Sequence, residues 1–101
     1  CYYYEKAALA AQQGDWEMVT RLKQQAAGIG YKPLQASEYL IFVEAALRTY
    51  KWYDASEMTR AARDESAASL PALCSAWDRA AAWGADLETY ADARSQFTCP
   101  E

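Results

Sequence analysis

The chain of 101 residues alternates between stretches in which apolar residues recur every three or four positions and short breaks of Gly, Pro, Asp and Ser. This spacing is the period of an amphipathic α-helix. It predicts six helices, over roughly residues 2–13, 15–27, 34–50, 53–63, 70–83 and 86–97. The third helix contains the most apolar stretch of the chain, EYLIFVEAALRTY, and we therefore expect it at the centre of the fold.

The breaks between the predicted helices carry start and stop signals. Gly14 and Gly84 each end a helix, because glycine readily takes up the backbone conformation that follows a last turn. Asp15 and Asp86 are expected to cap the next helices by accepting a hydrogen bond from a free backbone N–H. Ser69 is expected to do the same for the fifth helix, whose first turn contains Pro.

The lengths of the breaks predict how the helices are arranged. Very short turns join the first helix to the second, the third to the fourth and the fifth to the sixth, whereas longer segments such as GIGYKP separate these pairs. Short turns favour antiparallel neighbours, so the sequence predicts an all-α fold of three helical hairpins in series. The hairpins would occupy about residues 1–30, 34–66 and 69–98 of one domain spanning residues 1–101.

Shifting the first unit by 36 residues onto the second aligns four identical pairs, which are Tyr3 with Tyr39, Ala10 with Ala46, Trp16 with Trp52, and Ala26 with Ala62. The segments QQGDWEMVTRLKQQA and ALRTYKWYDASEMTRAA resemble the turn and second helix of the tetratricopeptide repeat (TPR). Lys6 and Phe42 depart from the Leu usual in that family, and its usual spacing is 34 residues. A second shift of 36 aligns Trp52 with Glu88. The third unit therefore departs from the pattern of the first two, as terminal repeats often do.

The TPR resemblance implies a short right-handed stack in which the first helix of each hairpin lines a concave face. On that register the partner-binding residues are Tyr4, Leu40, Glu44, Leu47, Arg48 and Trp77. Glu44 and Arg48 are four residues apart, so they pair on the helix or present their charges to a peptide or helix of another protein. Trp16 and Trp52 follow the hairpin turns, and this position favours a packing role over stacking on a ligand.

Composition and charge weigh against several other functions. The net charge of −4 argues against nucleic acid as a partner, since phosphate binding needs a cationic surface. No run of about 18 apolar residues occurs, so no membrane span is expected. The chain has no His, which excludes His-based catalysis and His-containing zinc sites, and it has no Gly-rich phosphate loop. We therefore expect no catalytic residues, no metal and no cofactor.

The three cysteines give information about the cellular compartment of the chain. Cys74 lies near the start of the fifth helix and Cys99 follows the sixth, and these points are neighbours in an antiparallel hairpin. The sequence therefore predicts a disulfide between Cys74 and Cys99, against the alternative of two ordinary thiols. A disulfide indicates an oxidising compartment, for this chain a bacterial periplasm. Cys1 has three interpretations: the lipidated first residue of a lipoprotein, an interior residue of a longer protein, or the odd partner of another bridge.

Two alternatives to a general binding module follow from these features. Cys1 suits a periplasmic lipoprotein chaperone similar to the TPR-like pilotins that escort secretins. The segments EYLIFVEAALRTYKWYDA and LPALCSAW are similar to periplasmic C-terminal regions of O-antigen ligase or polymerase-like glycan transferases. That second resemblance implies an accessory domain of a membrane enzyme, whose chemistry lies outside this chain.

Overall fold

The structure, a computed structural model, describes residues 2–30 and 36–99. These residues form six α-helices and two short 3-10 segments and contain no strand, which confirms the all-α prediction. The helices are α1 (Tyr2–Gln12), α2 (Trp16–Gly28), α3 (Ala36–Arg48), α4 (Trp52–Glu65), α5 (Leu70–Ala80) and α6 (Leu87–Gln96), and the 3-10 segments are Ala67–Ser69 and Ala81–Trp83. Cys1 and the second half of the predicted GIGYKP loop, with its Pro33, lie outside the described residues.

Two of the three predicted N-caps form as expected. The carboxylate of Asp15 accepts a hydrogen bond from the Met18 N–H at 3.2 Å, and that of Asp86 accepts one from the Thr89 N–H at 2.7 Å. These bonds satisfy donors that a helix start leaves without an intrahelical partner. The 3-10 segment after α5 ends at Gly84, whose φ of 111° lies in the region that favours glycine.

Ser69 does not act as the predicted cap. It immediately precedes α5, but its hydroxyl donates to the Ser66 carbonyl at 2.6 Å and accepts nothing from the helix. The reason is its backbone, which is already helical with φ −76° and ψ −15°, whereas a capping residue is normally extended. The 3-10 segment Ala67–Ser69 runs directly into α5, so Ser69 belongs to a continuing turn.

Helix α3 is the centre of the fold, as predicted. It contacts α1, α2, α4 and α5, and its contact with α4 is the most extensive between any two helices of the described residues. Its buried side chains are those of Phe42, Val43, Ala45, Ala46 and Leu47. Small Ala residues at the contacts let the helices approach closely, while the larger side chains fill the space between them.

The second part of the core joins α4, α5 and α6. The rings of Trp77 and Phe97 pack with centroids 5.8 Å apart and planes tilted by 40°. The indole N–H of Trp77 donates to the hydroxyl of Thr59 at 3.0 Å, and that hydroxyl donates to the Ala55 carbonyl at 2.7 Å. Thr59 is 0 % exposed, so these two bonds satisfy a polar group that would otherwise be costly to bury.

The three short turns share one backbone pattern. In each, an N–H bonds to the carbonyl five residues earlier, and the pairs are Asp15 with Ala10 at 2.9 Å, Lys51 with Ala46 at 2.8 Å, and Ala85 with Ala80 at 3.0 Å. The residue before each donor has a positive φ, namely Gly14, Tyr50 and Gly84. The donors are 36 and then 34 residues apart, so the residue that follows the donor is Trp52 in the second turn and Asp86 in the third, whereas a second shift of 36 aligns Trp52 with Glu88.

The predicted cysteine pair meets. The sulfur atoms of Cys74 on α5 and Cys99 after α6 are 2.05 Å apart, which is the distance of a disulfide bond. The bond closes a loop with a sequence separation of 25 residues. It ties the end of the described chain to the beginning of α5.

Candidate functional site

One stripe of α3 carries three of the predicted partner-binding residues. Leu40, Glu44 and Arg48 follow one another at intervals of four, so they lie on one side of the helix. All three are only partly buried, and the Glu44 and Arg48 side chains remain 23 % and 33 % exposed. The Arg48 Nε donates to the Glu44 Oε1 at 3.3 Å, so the expected pair forms. Both charges still reach the surface.

The guanidinium of Arg48 lies between two tryptophans. Its central carbon is 4.6 Å from the ring centroid of Trp16 and 4.0 Å from that of Trp83. Trp16 is the first residue of α2 and Trp83 ends the 3-10 segment after α5, and both rings are partly exposed. A cation over an aromatic face at this range is attracted by the negative face of the ring. Arg48 therefore links three separate parts of the chain at one point of the surface.

A second guanidinium, that of Arg79, approaches the ring of Trp83. The central carbon of Arg79 is 5.7 Å from the Trp83 centroid, and its Nη1 donates to the Ser75 hydroxyl at 3.1 Å. Within the described residues Arg79 has no ion pair. We call Trp16, Glu44, Arg48, Arg79 and Trp83 the Arg48 cluster; it presents two cations, one carboxylate and two large rings.

The other predicted contact residues are placed differently. Tyr4 on α1 is partly buried, and α1 contacts α3. Leu47 is 0 % exposed and Trp77 is 1 % exposed, so neither offers atoms to a partner in this conformation, and those two assignments are corrected. Leu47 is one position before Arg48, about 100° around the helix, which turns it into the core. Trp77 is held by Phe97 and Thr59.

The roles of Trp16 and Trp83 around Arg48 were missed by sequence reasoning. Trp16 packs against the core as predicted, and it also stacks on a cation from another helix pair. The chain shows no local signal for this contact, because the three residues are far apart in sequence. Trp52 behaves as the packing interpretation expects: it is partly buried against the core and meets the Tyr50 ring edge-on, with centroids 5.9 Å apart.

The pKa values of Tyr39, Asp86 and Arg94 are shifted. Burial, and secondarily the nearby Glu65, raises the pKa of the Tyr39 phenol. Hydrogen bonds from Thr89 hold the pKa of the Asp86 carboxyl below its ordinary value. The hydrogen bond to Asp78 raises the pKa of Arg94. Each shift accompanies a capping, packing or surface ion-pair contact.

Among residues 2–30 and 36–99, no group of three or more His, Cys, Asp and Glu side chains is placed to hold a metal ion. In the same ranges, none of the helices combines the length and the apolar character needed to cross a membrane.

No protein-family model, curated protein or solved structure matches the chain. What the chain does must therefore be inferred from its own residues.

Proposed function

We propose that the chain is a non-catalytic protein-binding module in which three antiparallel helical hairpins stack in a TPR-like manner. Three observations support the stack: the helices follow one another in consecutive contacting pairs, the three short turns share one hydrogen-bond pattern, and α3 contacts helices of both other pairs. A stack of this kind presents a preformed groove, so a partner binds without a folding step in the module.

The single observation that carries the binding function is the Arg48 cluster. Arg and Trp are the residues most enriched where proteins bind one another, because they combine a large contact area with directed polar groups. Here both types are partly exposed and drawn from three parts of the chain onto one surface, next to Leu40 on the same stripe of α3. We propose that this surface holds a peptide or a helix of another protein.

A peptide-display selection on the immobilised chain tests this function even when the natural partner has not been identified. Affinities of the enriched peptides would then be measured by fluorescence anisotropy for the wild type and for Glu44→Gln/Arg48→Gln. Because this double variant removes both charges of the cluster's ion pair, we expect binding to weaken at least about tenfold while circular dichroism stays unchanged.

Arg63→Gln/Asp64→Asn is the matched control, since it removes one cation and one carboxylate from a surface pair at 3.8 Å on α4. We expect this control to bind like the wild type. Absence of any enriched peptide, or equal affinity of the Glu44→Gln/Arg48→Gln variant and the wild type, contradicts the proposed function.

The cysteine pair supports a location outside the cytoplasm. Disulfides persist in oxidising compartments and are rare in reducing ones, so we propose a bacterial periplasm or another extracytoplasmic space as the location of the chain. A thiol count in non-reducing denaturant tests this: Cys74 and Cys99 should be unreactive. Three reactive thiols would remove both the bridge and the reason for the location. In that compartment, the chain could alternatively be a pilotin-like chaperone or an accessory domain of a glycan transferase, and in either protein the Arg48 cluster would be the binding surface.

A further inference from the structure

A second feature of the surface lies between the start of α4 and the length of α6. It is an open cleft of about 240 Å³. One wall comes from α4 and the other from α6, with the nearly buried Trp77 also lining it; the residues are Trp52, Tyr53, Ser56, Thr89, Asp92, Ala93 and Gln96. We call it the α4–α6 cleft. It shares no residue with the Arg48 cluster, so it is a separate candidate site.

The α4 wall of this cleft is aromatic. Tyr53 is 75 % exposed, among the largest exposures of any large side chain in the described residues, and its neighbour Trp52 is partly exposed. Edge-on contact with Tyr50 holds Trp52 in place, so this ring is part of a packed corner. Aromatic rings carry negative charge density on their faces, and this attracts cations as well as apolar groups.

The α6 wall carries an unneutralised carboxylate. Asp92 is exposed, and it has no ion-pair or hydrogen-bond partner in residues 2–30 and 36–99. One cation reaches the end of the cleft, where the guanidinium of Arg60 contacts the side chain of Gln96. Arg60 is already paired with Glu57 at 2.5 Å, so it leaves the charge of Asp92 uncompensated. The net charge of the chain, −4, adds to the negative potential there.

We propose that the α4–α6 cleft binds an organic cation of the alkylammonium or guanidinium type. The cation would lie against the rings of Trp52 and Tyr53 and pair with Asp92, while the oxygens of Ser56 and Thr89 accept its remaining N–H groups. An anion would meet the carboxylate of Asp92 and the negative faces of the rings, and a purely apolar ligand would leave that carboxylate without a partner. The same chemistry serves a free amine and a Lys or Arg side chain of another protein. The proposal stands whether or not the Arg48 cluster binds a peptide.

The decisive experiment compares two ligands of the same shape that differ in charge. The isotope-labelled chain is titrated with Nα-acetyl-arginine amide and, separately, with its neutral isostere Nα-acetyl-citrulline amide, with NaCl added to match ionic strength. We expect the arginine compound to shift the NMR signals of the Trp52 indole and of the Tyr53, Thr89 and Asp92 amides in a saturable way. The citrulline compound should bind at least about threefold more weakly, because it lacks the charge.

Two variants and one control locate the effect. Tyr53→Ala and Asp92→Asn change exposed side chains, and each should weaken binding of the arginine compound roughly two- to fivefold. Glu88→Gln removes another exposed carboxylate of α6 that does not line the cleft, and it should leave binding unchanged. Equal binding of the two ligands, or unchanged binding to both cleft variants, overturns the proposal.

A third ligand distinguishes the source of the cation. Methylammonium chloride that shifts the same signals with similar affinity points to a free amine as the natural ligand. If an arginine-containing peptide binds at least tenfold more tightly than either small cation, the natural ligand is a side chain of a partner. Shifts confined to the Trp16 and Trp83 indoles instead would place the cation at the Arg48 cluster and refute the cleft.

Discussion

The α3–α4 pair and the α5–α6 pair are built differently. Helices α3 and α4 share the most extensive contact of the described residues and bury a continuous row of side chains, including Val43, Leu47 and Ala55. Helices α5 and α6 share a much smaller contact, anchored by Trp77 on Phe97 and by the Cys74–Cys99 bond. The disulfide thus stabilises the pair whose helices have the smaller contact, as small or thinly packed units commonly require.

The turns of the two pairs touch each other. Tyr50 lies in the α3–α4 turn with a φ of 65°, which is unusual for a residue with a side chain. Its ring lies against Gly84 of the α5–α6 turn, where an added Cβ would be only 2.7 Å from the Tyr50 Cε1. The well-packed pair therefore tolerates an unfavourable backbone at Tyr50, while the other pair needs glycine both for its φ of 111° and for space.

The largest effect is expected from removing the bond that distinguishes the α5–α6 pair. Cys74→Ser/Cys99→Ser should lower the free energy of unfolding by roughly 3 kcal/mol in the chain-entropy model, measured by urea denaturation. Hydrogen exchange should accelerate in α6 far more than in α3 or α4, and reduction of the wild type is the matched control. Equal loss of protection in both pairs would break the contrast between them.

The second-largest effect concerns the contact between the two turns. Gly84→Ala combines backbone strain with a collision against Tyr50, so we expect about 2 kcal/mol of destabilisation in urea unfolding. Gly14→Ala is the matched control, because its φ is 75° but no atom lies within 4 Å of the added Cβ; it should lose only about 1 kcal/mol.

A double-mutant cycle separates the collision from the strain. Tyr50→Ala removes the ring, so Gly84→Ala should be less destabilising in that background by about 1 kcal/mol. Additive losses would show that the ring does not restrict Gly84.

A smaller effect is expected at the helix starts. Asp15→Ala removes the cap of α2 and should lower the free energy of unfolding by about 1 kcal/mol. Lys51 holds the corresponding position before α4 without a side-chain cap, so Lys51→Asp should instead raise stability by up to about 1 kcal/mol. Thermal and urea unfolding report both changes. A loss of stability in Lys51→Asp would mean that Lys51 makes a contribution of its own.

The smallest effect is a pH dependence at the α6 start. Hydrogen bonds from Thr89 lower the pKa of Asp86 from its ordinary value of 3.8, so the folded state favours the ionised carboxylate. The resulting stability is fully present above the ordinary pKa and is lost as the pH falls through the lowered one. Asp86→Asn keeps a capping oxygen but does not titrate. The Tm of the wild type should therefore fall relative to that of Asp86→Asn only at acidic pH. If the difference between the two Tm values did not change with pH, the electrostatic role of the cap would be contradicted.

Much of the local structure follows from neighbouring residues. The helix positions, the caps at Asp15 and Asp86, the stop at Gly84 and the Glu44–Arg48 pair depend on groups within four or five positions of each other. Backbone hydrogen bonds and same-face pairs act over that range, so the sequence pattern predicts them. Even the meeting of Cys74 with Cys99 required only that α5 and α6 lie side by side.

Only the tertiary structure decided which side chains of α3 and α5 reach the surface. Leu47 and Trp77 are buried, Arg48 lies between Trp16 and Trp83, and the α4–α6 cleft gathers Tyr53 and Asp92. These outcomes depend on how far each helix rotates and tilts against its neighbours. Such rotations are set by the fit of many side chains at once, because the packing energy depends on the whole interface and not on any single residue.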